Sequence, residues 1–77
     1  MSGRLPALTA RDVLRALTKA GFVVKRISGS HHLLVHPSDP ARAVTVPFHG
    51  ARDLKPGTLR SILRQAKLSA DEMKELL

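Results

Sequence analysis

The chain has 77 residues, no cysteine, and a formal net charge of +7 from 13 Lys and Arg against 6 Asp and Glu. A single domain of this size buries only about 60–65% of its unfolded surface, which excludes a deep internal cofactor pocket, and without thiols it can form neither a disulfide framework nor a Cys-based metal site. No apolar run approaches the roughly 20 residues of a membrane-spanning helix, and Met1 to Ala10 has no hydrophobic signal core, so the expectation is a soluble cytoplasmic protein.

Residues 1–8 contain Gly3 and Pro6 and lack periodicity, which predicts a loose N-terminal arm. Thr9-Ala10-Arg11-Asp12 is a capping box that starts a helix. Val13, Leu14 and Leu17 form its apolar stripe, with Arg11, Arg15 and Lys19 on the wet side. Gly21 suits the left-handed residue just past the helix end, which makes Phe22 and Leu17 the apolar pair of a Schellman ending and bounds the helix at about 10–20.

Three strands are predicted next: the β-branched run 22–27, then 31–36, then 43–46. Gly29 turns the first hairpin, and Pro37-Ser38-Asp39-Pro40 is dense enough in breakers to separate the second and third strands. The face of the middle strand that packs inward is ambiguous. Leu33 and Val35 share one parity, and Leu34 shares the other with His32 and His36. Pro47 to Asp53 reads as a loop, and Pro56 opens a helix whose Leu59, Ile62, Leu63 and Ala66 follow helical spacing. Arg60, Arg64 and Lys67 recur at i, i+4, i+7 as a basic ridge. Ser69 to Glu72 is a second capping box, so 69–77 is a short acidic helix. The order α-β-β-β-α with a C-terminal extension predicts a single α+β domain, a three-stranded antiparallel sheet with helices on one face.

Charge is distributed unevenly along this order. The last seven residues hold three acids and one base, which leaves residues 1–70 with twelve bases against three acids. Such a surface attracts a polyanion, most commonly nucleic acid. Two Phe and no Tyr or Trp give few platforms for stacking bases, so contact through backbone and shape is expected.

The one constellation suited to chemistry is Ser28-Gly29-Ser30-His31-His32, a turn that delivers two imidazoles to the start of a strand. Metal binding does not fit it. His31 and His32 point to opposite faces, and His32 and His36 lie about 13 Å apart along the strand, too far for two ligands each about 2.1 Å from one zinc. No metal or cofactor is expected. Metal-free RNA cleavage does fit, because RNA supplies its own 2′-OH nucleophile. One base to remove that proton and cations to meet the charged phosphorus suffice. The plainer reading is that the imidazoles cap the hairpin or touch phosphate. The charge also allows a non-catalytic double-stranded-RNA-binding module; a DNA-binding adaptor finds no recognition helix.

Gly21-Phe22, Gly29-Ser30-His31-His32, His36-Pro37, Val44-Thr45-Val46-Pro47 with His49, and Leu54-Lys55-Pro56-Gly57-Thr58-Leu59 running on to Ala66 together closely resemble the HicA family of toxin–antitoxin systems, over roughly residues 10–70. The resemblance implies a fold like a double-stranded-RNA-binding domain and a ribosome-independent mRNA interferase inhibited by a HicB-like antitoxin. It puts the catalytic base at His32, with Gly29, Ser30 and His31 as support for the turn. Lys25, Arg26, Lys55, Arg60, Arg64 and Lys67 are then candidates for RNA phosphate binding, and His36 and His49 are read as structural. The leaving 5′ oxygen can be protonated by Lys25, Lys55 or water. Lys67 departs from the family pattern, standing where many relatives have glycine.

Overall fold

A computed structural model describes residues 5–49 and 51–77. Helix α1 spans Ala10–Lys19, strands β1, β2 and β3 span Val23–Ser28, His31–His36 and Asp39–Pro47, and helices α2 and α3 span Pro56–Ala66 and Ala70–Leu76. The sheet is antiparallel throughout, in the order β1-β2-β3. The first four residues of the expected arm, and Gly50 of the expected loop, lie outside the described residues.

Local chemistry sets the helix ends. The Thr9 hydroxyl accepts from the Asp12 N–H at 3.2 Å, and the Thr9 N–H donates to the Asp12 carboxylate at 3.0 Å. That backbone donor, then the Thr9 side chain and more weakly Arg15, hold the Asp12 carboxyl below its ordinary range. At the other end Gly21 is left-handed (φ +103), and the Phe22 and Gly21 N–H groups return to the carbonyls of Leu17 and Thr18, both at 3.0 Å. This is the Schellman ending the sequence predicts. Phe22 is consequently buried beneath the helix and does not belong to the strand that follows it. α2 ends in the same way, with Leu68 and Lys67 N–H groups bonded to Leu63 and Arg64 carbonyls at 3.0 and 3.2 Å. Here the left-handed residue is Lys67 (φ 58, ψ 41).

Leu34 decides the face of β2. It is fully buried, whereas Leu33 and Val35 are half-exposed. Its neighbours Val44 and Val46 on β3 are buried with it against Val13, Ala16 and Leu17 of α1 and Leu59, Ile62 and Ala66 of α2, and Met73 of α3 closes the cluster. The sequence places Leu8 in a loose arm. Instead Leu8 is buried, its carbonyl accepts from Leu54 N–H at 2.7 Å, and Thr9 bridges to Asp53.

The third strand is longer than its predicted 43–46. His36 pairs with Asp39 across the two-residue turn Pro37-Ser38, and a bulge follows before Val35 pairs with Ala43. Pro40 therefore lies inside the strand. It is tolerated because β3 is an edge, where a missing N–H breaks no ladder. No helix among the described residues is long and apolar enough to cross a membrane.

Candidate functional site

The hairpin between β1 and β2 turns on Gly29 and Ser30, with Ser28 opposite His31. Positive φ falls on Gly29 (+58) and not on Ser30, the pattern of a type II′ turn. A Cβ on Gly29 would meet nothing within 4 Å, so the requirement for glycine here is one of backbone conformation. The turn sends His31 to the exposed face of the sheet and His32 to the face that carries Leu34.

His32 is half-buried, and its ring stacks on Phe48 with centroids 4.1 Å apart and planes 28° from parallel. Its Nδ1 is buried and has no hydrogen-bond partner, which leaves Nε2 as the nitrogen able to meet a substrate. Among the described residues no carboxylate is bonded to this Nδ1 to orient the imidazole in the way a catalytic triad would. Phe48 is fixed by its own N–H, which donates to the Ser30 carbonyl at 2.6 Å. The turn that places the imidazole thus also anchors the ring packed on it. The sequence reading gives Phe48 only as part of the loop 47–53, with no role at the site. Its signal was the alternation Val44, Val46, Phe48, but Pro47 reads as the start of a loop, and only the pairing of Val46 with His32 shows where the third apolar residue lands.

The residues on either side of Phe48, Pro47 and His49, open onto a cleft of about 230 Å³ whose other walls are Arg52, Asp53, Leu54, Lys55 and Thr58. The loop forming it is tied to the hairpin through Phe48 and to the start of α1 through Leu54 and Asp53. Lys55 precedes α2 without a side-chain cap on the helix. Of the six predicted phosphate ligands, Lys55 alone lines the cleft, where it meets His49, read from sequence as structural, and Arg52.

The other candidates are dispersed. Lys25 is the extra residue of a bulge in β1, between Val24 paired with Leu34 and Arg26 paired with Leu33. Arg26 is exposed on the side away from the helices. Arg60 and Arg64 are exposed on the flank of α2 opposite the one where Ser61 and Gln65 meet β3. Lys67 lies past the last helical residue, so it does not continue their ridge by helical spacing. His36 serves the fold: its Nδ1 accepts from Ser38 N–H at 3.2 Å, and its ring meets Phe22 edge-on at 5.2 Å. Its Nε2 would lie 3.1 Å from a Cβ on Gly21. Among the described residues no group of three or more His, Asp or Glu side chains is gathered in a way that would hold a metal ion.

The arrangement offers one half-buried imidazole against Phe48, and an open cleft with Arg52 and Lys55 that begins at the residues on either side of that Phe. That suits proton abstraction from a bound polyanion better than enclosure of a small molecule. The sequence model of a family described as HicA toxin of bacterial toxin-antitoxin matches residues 10–68. No curated protein matches the chain.

Proposed function

We propose a mechanism from the following premise: the chain belongs to the HicA toxin family, and its role is that of the toxin in a toxin–antitoxin pair. Our reading is that it is an endoribonuclease acting on mRNA, with His32 as general base. Nε2 of His32 takes the proton of a ribose 2′-OH, the 2′ oxygen bonds to the adjacent phosphorus, and the bond to the 5′ oxygen of the next nucleotide breaks. The products are a 2′,3′-cyclic phosphate and a 5′-OH end, the leaving oxygen gaining its proton from solvent or Lys55. Arg52 and Lys55 supply positive charge to the phosphates that flank the scissile bond. The reading requires no metal.

The observation that carries this reading is the seating of His32: its ring is stacked on Phe48 and its Nδ1 is buried, while the residues on either side of that Phe, Pro47 and His49, line the cleft that holds Arg52 and Lys55. A positioned general base contributes about 10²–10⁴-fold. With nothing bonded to Nδ1 to fix its tautomer, His32 belongs toward the lower end of that range, so the enzyme is slow. The inhibitor in this reading is a HicB-like protein that presents acidic surface to the basic chain.

Incubation of labelled single-stranded RNA in EDTA with the wild type and His32→Ala tests the reading. New ends carrying cyclic phosphate are expected from the wild type, with a loss of about 10²-fold or more in the variant. Equal cleavage by the two removes His32 from the mechanism, and intact RNA in both removes the nuclease.

A further inference from the structure

The two edges of the sheet are treated differently. On β3, the Thr45 N–H is taken by Gln65 Oε1 at 2.9 Å, Gln65 is steadied by Ser61 at 3.1 Å, and Arg42 Nε donates to the Ala66 carbonyl at 2.8 Å. Pro40, in the same strand, has no N–H to offer. Helix α2 therefore closes that edge. On the opposite edge, β1, nothing comparable occurs among the described residues: all six of its residues are exposed, and Val23, Val24 and Ile27 remain 50%, 43% and 59% accessible. Pairing with Leu34 and His32 places Val24 and Ile27 on the helix-side face of the sheet, where α1 and α2 cover β3 and the middle of β2 but stop short of β1. Single exposed aliphatics are ordinary. Three on one six-residue edge strand, above and below the sheet, form a template for another strand.

The charges on that edge select the occupant. β1 carries Lys25 and Arg26, and neither β1 nor β2 contains an acid. A second copy pairing edge to edge would bring four cations together between molecules of net charge +7 each, and a bulge with a lysine is a device that discourages such pairing. An acidic strand meets no such penalty.

We propose that β1 is the docking edge for an acidic, apolar-alternating strand of the protein antitoxin, which joins the sheet as a fourth strand and covers Val24 and Ile27. The proposal rests on the toxin–antitoxin reading above. Neighbouring strands are spaced about 4.8 Å apart, so the added strand lies about 10 Å from β2, and its inward side chains close over the space beside His32. Ile27, directly opposite His32, is the contact that couples docking to silencing.

The test is amide hydrogen exchange on the full-length chain, alone and co-expressed with a HicB-like antitoxin, together with the variant Val24→Glu. Val24 is exposed and outside the proposed catalytic and phosphate-binding residues, so the variant retains RNA cleavage. The complex is expected to slow exchange within residues 23–28 by about tenfold or more, and Val24→Glu is expected to weaken the complex about tenfold or more. A silenced complex in which β1 exchanges as in the free chain overturns the docking edge while the toxin–antitoxin reading stands. If no complex forms, that reading falls and the proposal with it. Protection of β1 in the free chain that grows with concentration assigns the edge to a second copy, and protection by RNA alone assigns it to substrate; either overturns the proposal.

Discussion

Lys67 provides the clearest test of the fold's energetics, because its backbone sits at φ 58, ψ 41 and it is the only non-glycine residue with positive φ among those described. A side chain in this region costs about 1–2 kcal/mol relative to glycine. Glycine returns about 0.4–1 kcal/mol of that through the greater freedom of the unfolded chain, for a net gain of about 1 kcal/mol. Lys67 also places a positive charge beside the C-terminus of α2, worth about 0.3–1 kcal/mol if well placed, so comparison with the wild type alone mixes two effects. Lys67→Gly is therefore compared with Lys67→Ala, since both remove the charge and only one keeps a Cβ. Thermal and urea unfolding of the pair should show the glycine variant more stable by about 1 kcal/mol, or about 4–8 °C for a domain of this size. Equal stability, or a more stable alanine variant, would refute the claim that the left-handed ending is strained. If RNA cleavage survives in both variants, Lys67 is also removed from the phosphate-binding set.

Phe48→Leu keeps an apolar side chain and discards the ring. A stacked pair is worth about 0.5–1.5 kcal/mol beyond its buried area, so stability should fall by about that much, and because the stack also positions the imidazole, kcat for RNA cleavage should fall as well, by about two- to tenfold, with KM little changed and Phe48→Tyr restoring both. A lower midpoint with unchanged kcat would make Phe48 a packing residue only. Asp12→Asn tests the first capping box through pH. Because the folded carboxyl is held below its ordinary value, it contributes stability above the unfolded pKa, and that contribution is lost as pH falls through the folded one. Urea midpoints should therefore show a shallower acid decline in the variant than in the wild type, and parallel declines would mean that the bond does not matter.

What could be read from the sequence was whatever neighbours decide. Leu17, Gly21 and Phe22 lie within six positions of one another, so the hydrogen bonds that end α1 follow from residue type and spacing. The same holds for the two capping boxes and for Gly29, where only a backbone free to adopt positive φ makes the turn. The inward face of β2 was not legible, because Leu33, Leu34 and Val35 are all apolar and nothing local separates their parities. The choice comes from α1 and α2, which meet Leu34 through contacts distant in sequence. Pro40 was read as a breaker because its place at an unpaired edge depends on strand order. Phe48 was missed because it matters only through the register that sets Val46 against His32. Leu8 looked like part of a free arm because its carbonyl partner, Leu54, is 46 residues away.

The position of His32 follows from the size of the domain. A chain this short has too little volume to enclose a substrate, so an imidazole held dry on one side and open on the other must sit at a boundary of the core. The helices create that boundary: they bury Val44, Val46 and Leu34 and leave Val24 and Ile27 bare. His32 lies on the same face as Leu34, paired with buried Val46 on one side and exposed Ile27 on the other. Full coverage of the sheet would stabilise the fold and seal the imidazole, and less coverage would leave Nδ1 wet and the ring free to rotate. His32 is accordingly half-buried, with Nδ1 inside.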